Sequence, residues 1–499
     1  MLERVRQREK PWDFIVIGGG ATGVGCALDA ASRGFDVLLL EQKDFGKGTS
    51  GRSTKLVHGG VRYLAQGNLS LVREALKERG ILLKNATHLV RKMAFVVPCY
   101  SLFDKFFYGA GLKIYDLLAG RYDFGASRIL SKRETLAKLP NIKSESLRGG
   151  VVYFDGQFDD TRLLINLAQT AFAEGAALLN YAPVVAVTKD ENAKIDGVEF
   201  EDARTGEIFQ AKAKVVINAA GAFCDEVRRL SGADSKNIIA PSQGIHLVFE
   251  RKFLPSENAL MIPKTSDGRV LFAIPWHDKT LVGTTDTPIE KAELEPRALE
   301  KEIDFVLETA RQYLAEPPGR ADVLSVFAGV RPLVKSDDRK NTATLSRGHT
   351  IEIDQANLLT VTGGKWTTYR RMAEDAVDQA IKLAKLPEKS CPTENLKIYD
   401  EDAGCLQKLI EENPALAEKI HEDLPYRKAE IVRAVRAEMA ETLEDVLARR
   451  TRALFLNARA AIEIAPRMAK IMAVERGENE DWIKAQIAAF NETAEKYLI

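Results

Sequence analysis

Long apolar runs, paired cysteines and net charge are all missing from this chain of 499 residues. No apolar stretch approaches the roughly 20 residues that a membrane-spanning helix needs. The opening MLERVRQREKPWDF is too charged for a secretory signal. Five cysteines (Cys26, Cys99, Cys224, Cys391 and Cys405) are scattered, without a C-x-x-C pair or metal-ligand spacing, and read as thiols in a reducing compartment. Lysine plus arginine and aspartate plus glutamate stand at 71 each, which argues against bulk nucleic-acid binding. Internal repeats and low-complexity tracts are absent too. The expectation is a cytoplasmic protein of two or three ordinary cores, with no metal site and no nucleic-acid partner.

What the chain does have is concentrated first in Asp13 to Glu41, DFIVIGGGATGVGCALDAASRGFDVLLLE. Phe14–Ile17 reads as a strand buried on both faces. Gly18, Gly20 and Gly23 follow in G-x-G-x-x-G spacing, then an alanine-rich helix, then a second apolar run ending on Glu41. Glycines there allow a tight turn, close approach to a pyrophosphate and tight helix packing. A helix N-terminus offers N–H groups and positive dipole to phosphate. Glu41 can accept both hydroxyls of an adenosine ribose, and it favours FAD or NAD over NADP, whose 2′-phosphate it would repel.

The rest of the chain arranges itself around that unit. Gly46 to Tyr63, GKGTSGRSTKLVHGGVRY, is a polar glycine-rich loop sited to run along a cofactor. Residues 69–92 and 160–175 read as helices, with an aromatic and lysine patch (Phe103, Lys105, Phe106, Phe107, Tyr108, Lys113, Tyr115) between them. VVINAAG, Val215 to Gly221, is a second buried strand ending on small residues. Residues 240–290 turn to β character. TGGKWTTYRRMAEDAVDQAIKLAKL then starts a helix on Gly363 and Gly364, and from about 400 the chain is charged and helical. This order predicts an α/β protein: a discontinuous Rossmann-like FAD-binding domain (1–80, 150–238, 328–386), an inserted β-rich substrate domain (81–149, 239–327) and an all-α C-terminal domain (387–499). A nicotinamide dehydrogenase more often keeps its nucleotide domain in one piece.

The segments IGGGATGVGCALDAASRG, TSGRSTKLVHGGVRYL, VVINAAG, QGIHLVF, LVGTTDTP, FAGVRPL, TGGKWTTYRRMAEDAVD and LEDVLARRTRALFLNAR resemble, in order, those of the FAD-dependent glycerol-3-phosphate dehydrogenases, within the glycine oxidase and D-amino-acid oxidase-like superfamily. Ala219-Ala220-Gly221 stands where that family often has Ala-Thr-Gly. The resemblance implies FAD held by Gly18, Gly20, Ala21, Thr22, Gly23, Glu41, Thr49, Ser50, Ser53, His58, Gly59, Val185, Ala220, Gly221, Gly364, Lys365 and Thr367. It implies oxidation of sn-glycerol 3-phosphate to dihydroxyacetone phosphate, with hydride passing from C2 to flavin N5 and electrons going on to a quinone. Arg331 and Arg62 are then the phosphate ligands. Tyr63 donates to a substrate oxygen, and Thr284, Thr285 and Asp286 line the pocket. The base is sought among His246, His58 and Lys365, with His246 preferred and Lys365 cast as an electrostatic partner of the reduced flavin. Peripheral contact with the cytoplasmic face of the inner membrane, through the aromatic patch and the basic leader (Arg4, Arg6, Arg8, Lys10), and a homodimer are further expectations.

Three other functions stay open. One is a glycerol-3-phosphate oxidase using O2, which usually carries a mid-chain insertion not seen here. Another is an amine or amino-acid oxidase, for which the surplus of positive charge is poorly suited. The last is a non-enzymatic FAD-bearing interaction protein.

Overall fold

The computed structural model describes residues 1–65, 67–232, 236–335, 348–400 and 402–499, and the side chains of these apart from Arg62, Ala65, Asp402 and Ala403. Two sheets carry the architecture. The first is nucleated by the strand Trp12–Ile17, which pairs in parallel with Val37–Leu40 on one side and Ile208–Asn218 on the other. Ala177–Leu179 extends one edge and Leu359–Gly363 the other, also in parallel. Alternation along Trp12–Ile17 sends Phe14 and Val16 into one core and Ile15 and Ile17 into another, so helices and a small antiparallel layer cover both faces. Phe14, Ile15 and Val16 have no exposed surface.

The helix Ala21–Ser32 packs between Asp160–Ala173 and Tyr369–Leu383. Its small residues make that approach possible: a Cβ at Gly25 would come within 3.0 Å of the Tyr369 ring.

The second sheet runs Thr287–Pro288, Ile239–Glu250, Lys279–Gly283, Leu271–Trp276, Ala259–Ile262, Val90–Cys99, Gly149–Phe158 and Leu56–Val57, with Ser325–Val334 added along Ile239–Glu250. One face packs on the helix Glu300–Tyr313. The other continues into the C-terminal helices, where Phe95, Tyr153, Trp276 and Phe327 share a core with Phe455 and Ile464.

Hydrogen bonding redraws several expected boundaries. Residues 150–158 and 328–334, expected in the nucleotide domain, lie in strands of the second sheet. Their apolar runs suit either sheet, and only the pairing partner decides. The predicted helix 69–92 stops at Asn85, and Val90–Cys99 is a strand. Residues 387–400, expected with the C-terminal domain, lie on the nucleotide domain: Asn85 donates to the Thr393 carbonyl and Ile398 joins its core. Helices from Asp402–Glu412 to Glu480–Ala494 then form the C-terminal region. The α-helix expected to begin near Lys365 begins at Tyr369, after a short 3-10 turn over Trp366–Thr368.

Candidate cofactor cleft and active site

A cleft of about 380 Å³ opens at the C-terminal ends of the parallel strands, where open α/β sheets place their ligands. Gly18, Gly20, Ala21, Thr22, Glu41, Thr49, Ser50, Ala220, Gly221, Gly364 and Lys365 line it, as expected of cofactor ligands. Backbone dominates its nucleotide end. Gly18 has φ +113°, and a Cβ there would meet the Ala219 carbonyl at 2.7 Å. Gly20 caps the helix Ala21–Ser32 without a side chain, while Ser50 Oγ accepts the Ala21 N–H at 2.9 Å. Glu41 accepts N–H bonds from Gly19 at 2.6 Å and Lys43 at 2.9 Å; burial pushes its carboxyl up and these bonds pull against that. A bare helix N-terminus, a glycine turn and a carboxylate at the strand tip together fit the pyrophosphate and ribose of a dinucleotide.

Other expected ligands stand outside that lining. A Cβ at Gly23 would sit 1.9 Å from the Gly18 carbonyl, so this glycine packs helix on turn. Ser53 hydrogen-bonds Asp160 through both its N–H and its hydroxyl. Gly59 donates to Asp155 Oδ1 at 3.2 Å beneath Leu76 and Tyr115. Val185 is exposed, and its neighbour Val184 lines the cleft instead. Thr367 accepts the His58 N–H at 3.2 Å, tying the two glycine motifs together. Trp366, which the sequence did not mark, lines the cleft and donates from Nε1 to the Ser50 carbonyl at 2.9 Å.

The flank formed by the second sheet supplies side chains. Arg331 donates to the Thr285 carbonyl at 2.9 Å and Thr284 Oγ1 at 3.1 Å, with Asp286 Oδ1 at 3.4 Å. Gly244 lies beneath it, where a Cβ would come within 2.5 Å of the guanidinium. His246 pairs in register with Gly283 and Phe327 on the two neighbouring strands. A Cβ at Gly283 would strike its ring at 2.3 Å. Two glycines thus seat the two key side chains. His246 is buried, and burial, then the cations Lys55 and Arg331, hold it well below the ordinary imidazole value. The Lys365 ammonium lies 3.9 Å from the centre of the Tyr63 ring, which places Lys365, Tyr63 and the His58 segment together. Arg62 lies in the helix Val61–Ala65, and its side chain falls outside the described residues.

Comparison with known proteins agrees with this layout. A model described as FAD dependent oxidoreductase matches residues 13–374, and one described as the C-terminal domain of alpha-glycerophosphate oxidase matches 358–483. A mitochondrial glycerol-3-phosphate dehydrogenase of Arabidopsis thaliana is 39% identical, over 98% of this chain and 86% of its own. The human mitochondrial glycerol-3-phosphate dehydrogenase is 37% identical, over 99% and 74%. The chain belongs to the FAD-dependent glycerol-3-phosphate dehydrogenases. Among solved structures, the glycerol-3-phosphate dehydrogenase of Bacillus halodurans complexed with FAD is 28% identical, covers 99% of this chain and 96% of its own, and superposes with a TM-score of 0.78. An L-alpha-glycerophosphate oxidase of Mycoplasma pneumoniae, 17% identical over 78% of this chain and 99% of its own, shares the fold with a TM-score of 0.58.

In this flavoenzyme family member the cleft running from Glu41 to Lys365 has the lining and size to hold FAD. Sequence reasoning missed the hold that the C-terminal region has on the cleft wall. Asp44, fully buried, takes ion pairs from Arg449 at 2.5 Å and Arg450 at 2.7 Å. Lys47 pairs with Glu444 at 2.5 Å, and Arg452 donates to the Gly51 carbonyl at 2.8 Å. The six-residue π-helical turn Asp445–Arg450 turns both arginines toward one carboxylate.

Proposed function

We propose that this dehydrogenase oxidises the secondary alcohol of sn-glycerol 3-phosphate to the ketone of dihydroxyacetone phosphate and delivers the electrons to a quinone. Bound in the cleft, FAD supplies the two-electron acceptor. The observation that carries the reading is Arg331: a guanidinium seated on Gly244, held by Thr284, Thr285 and Asp286, at the rim beside cleft-lining Pro332. Its planar fork suits a phosphate dianion. Arg62 adds a second cation from the HGGVRY segment. His246, kept neutral in its pocket, is the group able to take the hydroxyl proton. Lys365 brings positive charge to the flavin end, where negative charge gathers on reduction.

Anaerobic mixing of the yellow protein with sn-glycerol 3-phosphate tests this directly. Flavin absorbance at about 450 nm should bleach with this substrate and not with glycerol or an amino acid. An unbleached flavin removes the substrate assignment; reoxidation by O2 as fast as by a quinone analogue would turn the reading to an oxidase.

The quinone half of the proposal is supported by the helix Leu102–Ala119. Phe103, Phe106, Phe107, Ile114 and Leu117 form one stripe along it, with Phe103 75% and Leu117 80% exposed, while Leu112 and Tyr115 face inward. Lys113 stands exposed beside the stripe. Such a face suits the interfacial region of a bilayer, where quinone resides. No helix among the described residues is long and apolar enough to cross a membrane. Sedimentation with lipid vesicles should be lost in Phe103→Glu/Phe107→Glu while bleaching by substrate is kept; undiminished sedimentation would remove this helix from the interface.

A further inference from the structure

Lys55 belongs to the glycine-rich loop and touches nothing in the cofactor cleft, yet it has no exposed surface. A fully buried ammonium carries a large desolvation cost unless paired. Its Nζ donates to Asp160 Oδ2 at 2.7 Å and to the Gly51 carbonyl at 2.9 Å. It also lies 5.1 Å from the centre of the Phe327 ring and 5.4 Å from those of Trp276 and Phe455. The backbone bends to place it there, with φ +63° at Lys55, in the left-handed region that side-chain-bearing residues rarely adopt.

The anchor reaches His246 by two routes. Phe327, which faces the ammonium, stacks on the imidazole with centroids 4.9 Å apart and planes 18° apart. Thr54, the residue before Lys55, places its Oγ1 2.9 Å from His246 Nε2. Nδ1 is buried and has no hydrogen-bond partner among the described residues. The charges that act on the ring are Lys55 from the loop and Arg331 from the strand Ser325–Val334, both cations. Asp160, Asp159 and Arg452 act on Lys55 instead. Among the described residues the imidazole therefore meets positive charge from two elements and no carboxylate.

We propose that Lys55 is a positioning residue for the reaction: anchored by Asp160, it keeps His246 uncharged and, through Thr54 and Phe327, in one orientation. This rests on His246 being the base of the proposed reaction. Burial pulls Lys55 down to about 7 against the pull of Asp160. Below that value Lys55 is a cation, and that is the range in which an ordinary imidazole would take up a proton.

The FAD-loaded enzyme with isotope-labelled histidine tests the proposal by NMR. The chain has 6 histidines, and the His246 signal is assigned by its loss in His246→Asn. In the wild type this signal should stay in its neutral form well into the range where an ordinary imidazole takes up a proton. In Lys55→Met it should titrate at least about one pH unit higher than in the wild type, because removing the cation favours the imidazolium. The acid limb of kcat/KM with sn-glycerol 3-phosphate should move up by the same amount. Should Lys55→Met fail to fold, Lys55→Met/Asp160→Asn removes both buried ions and serves for the same comparison, with the same upward shift expected. A folded variant whose His246 titration and acid limb both stay at the wild-type positions overturns the proposal and leaves Lys55 a packing residue. If the wild type does not turn over sn-glycerol 3-phosphate, the functional reading fails by itself, and the NMR comparison still decides the role of Lys55 toward His246.

Discussion

The two sheets that flank the cleft differ in which part of the polypeptide each presents. The parallel sheet works with backbone: Gly18, Gly20 and the start of the helix Ala21–Ser32 offer N–H groups and open space, and Glu41 is its principal charged side chain. The antiparallel sheet works with side chains seated over glycines, Arg331 on Gly244 and His246 against Gly283. On the proposed function, one flank would hold a ligand that stays and the other a ligand that must react and leave. A backbone site tolerates no added atoms, whereas a side-chain site can be altered one functional group at a time.

That contrast can be broken or sharpened by substitution. The largest effect is expected from Gly23→Val, whose side chain would collide with the Gly18 carbonyl; the protein should purify without flavin, and a fully yellow variant would show that the turn yields more easily than the packing implies. Arg331→Ala should lower kcat/KM by about 2–5 kcal/mol-equivalents, as for loss of a desolvated charge contact, with flavin content unchanged. Loss of flavin in that variant would mean that the two flanks are not separable. Glu41→Gln should weaken FAD binding by about 1–3 kcal/mol, measured by flavin fluorescence on titration of apoprotein. Unchanged affinity would leave the nucleotide flank a purely backbone site.

The smallest effect at neutral pH concerns the ion pairs behind the cleft. Neighbouring arginines hold Asp44 and Glu438 below the ordinary carboxylate range, and Arg52 with Lys47 does so for Glu295. Folded values below the unfolded values of about 4 mean that their stabilisation is complete above that pH and is lost as pH falls through it. Asp445, pushed up by burial and by Asp44, runs the other way: its contribution rises as pH falls through its raised folded value, above the window in which the others are lost. Thermal stability followed from pH 7 downward should fall first below about pH 6.5, where the unfolded chain takes up protons that buried His246 and His277 resist, and again below about pH 4 as these ion pairs are lost. A loss confined to the region below about pH 4 would mean that the buried histidines take up protons as readily folded as unfolded.

The nucleotide flank was legible in the sequence because its requirements are local. Gly18, Gly20 and Gly23 are fixed by one turn, and Glu41 by the strand that follows. The second sheet was legible only as β character. VVYF at 151–154 and FAGV at 327–330 announce buried strands without naming their partners, so both were expected on the wrong side of the boundary. Family resemblance picked out Arg331, His246 and Lys365, but nothing local marks the glycines that seat the first two. Lys55 was invisible for a different reason. A lysine in a polar, glycine-rich loop reads as solvated, and only the fold brings Asp160 and three aromatic rings around it. Arg449, Arg450 and Arg452 likewise read as the wet face of a helix, although all three are buried.

The grip of Arg449 and Arg450 on Asp44 has a consequence in time as well as in space. Asp44, in the loop beside the cleft, is gripped by residues 405 and 406 positions later in the chain. A ribosome must therefore release nearly the whole polypeptide before the loop beside the first strand can settle. Flavin loading is then expected to wait until these arginines have been made. Chains truncated just before Arg449 should emerge without flavin, even though every residue lining the cleft has already been made.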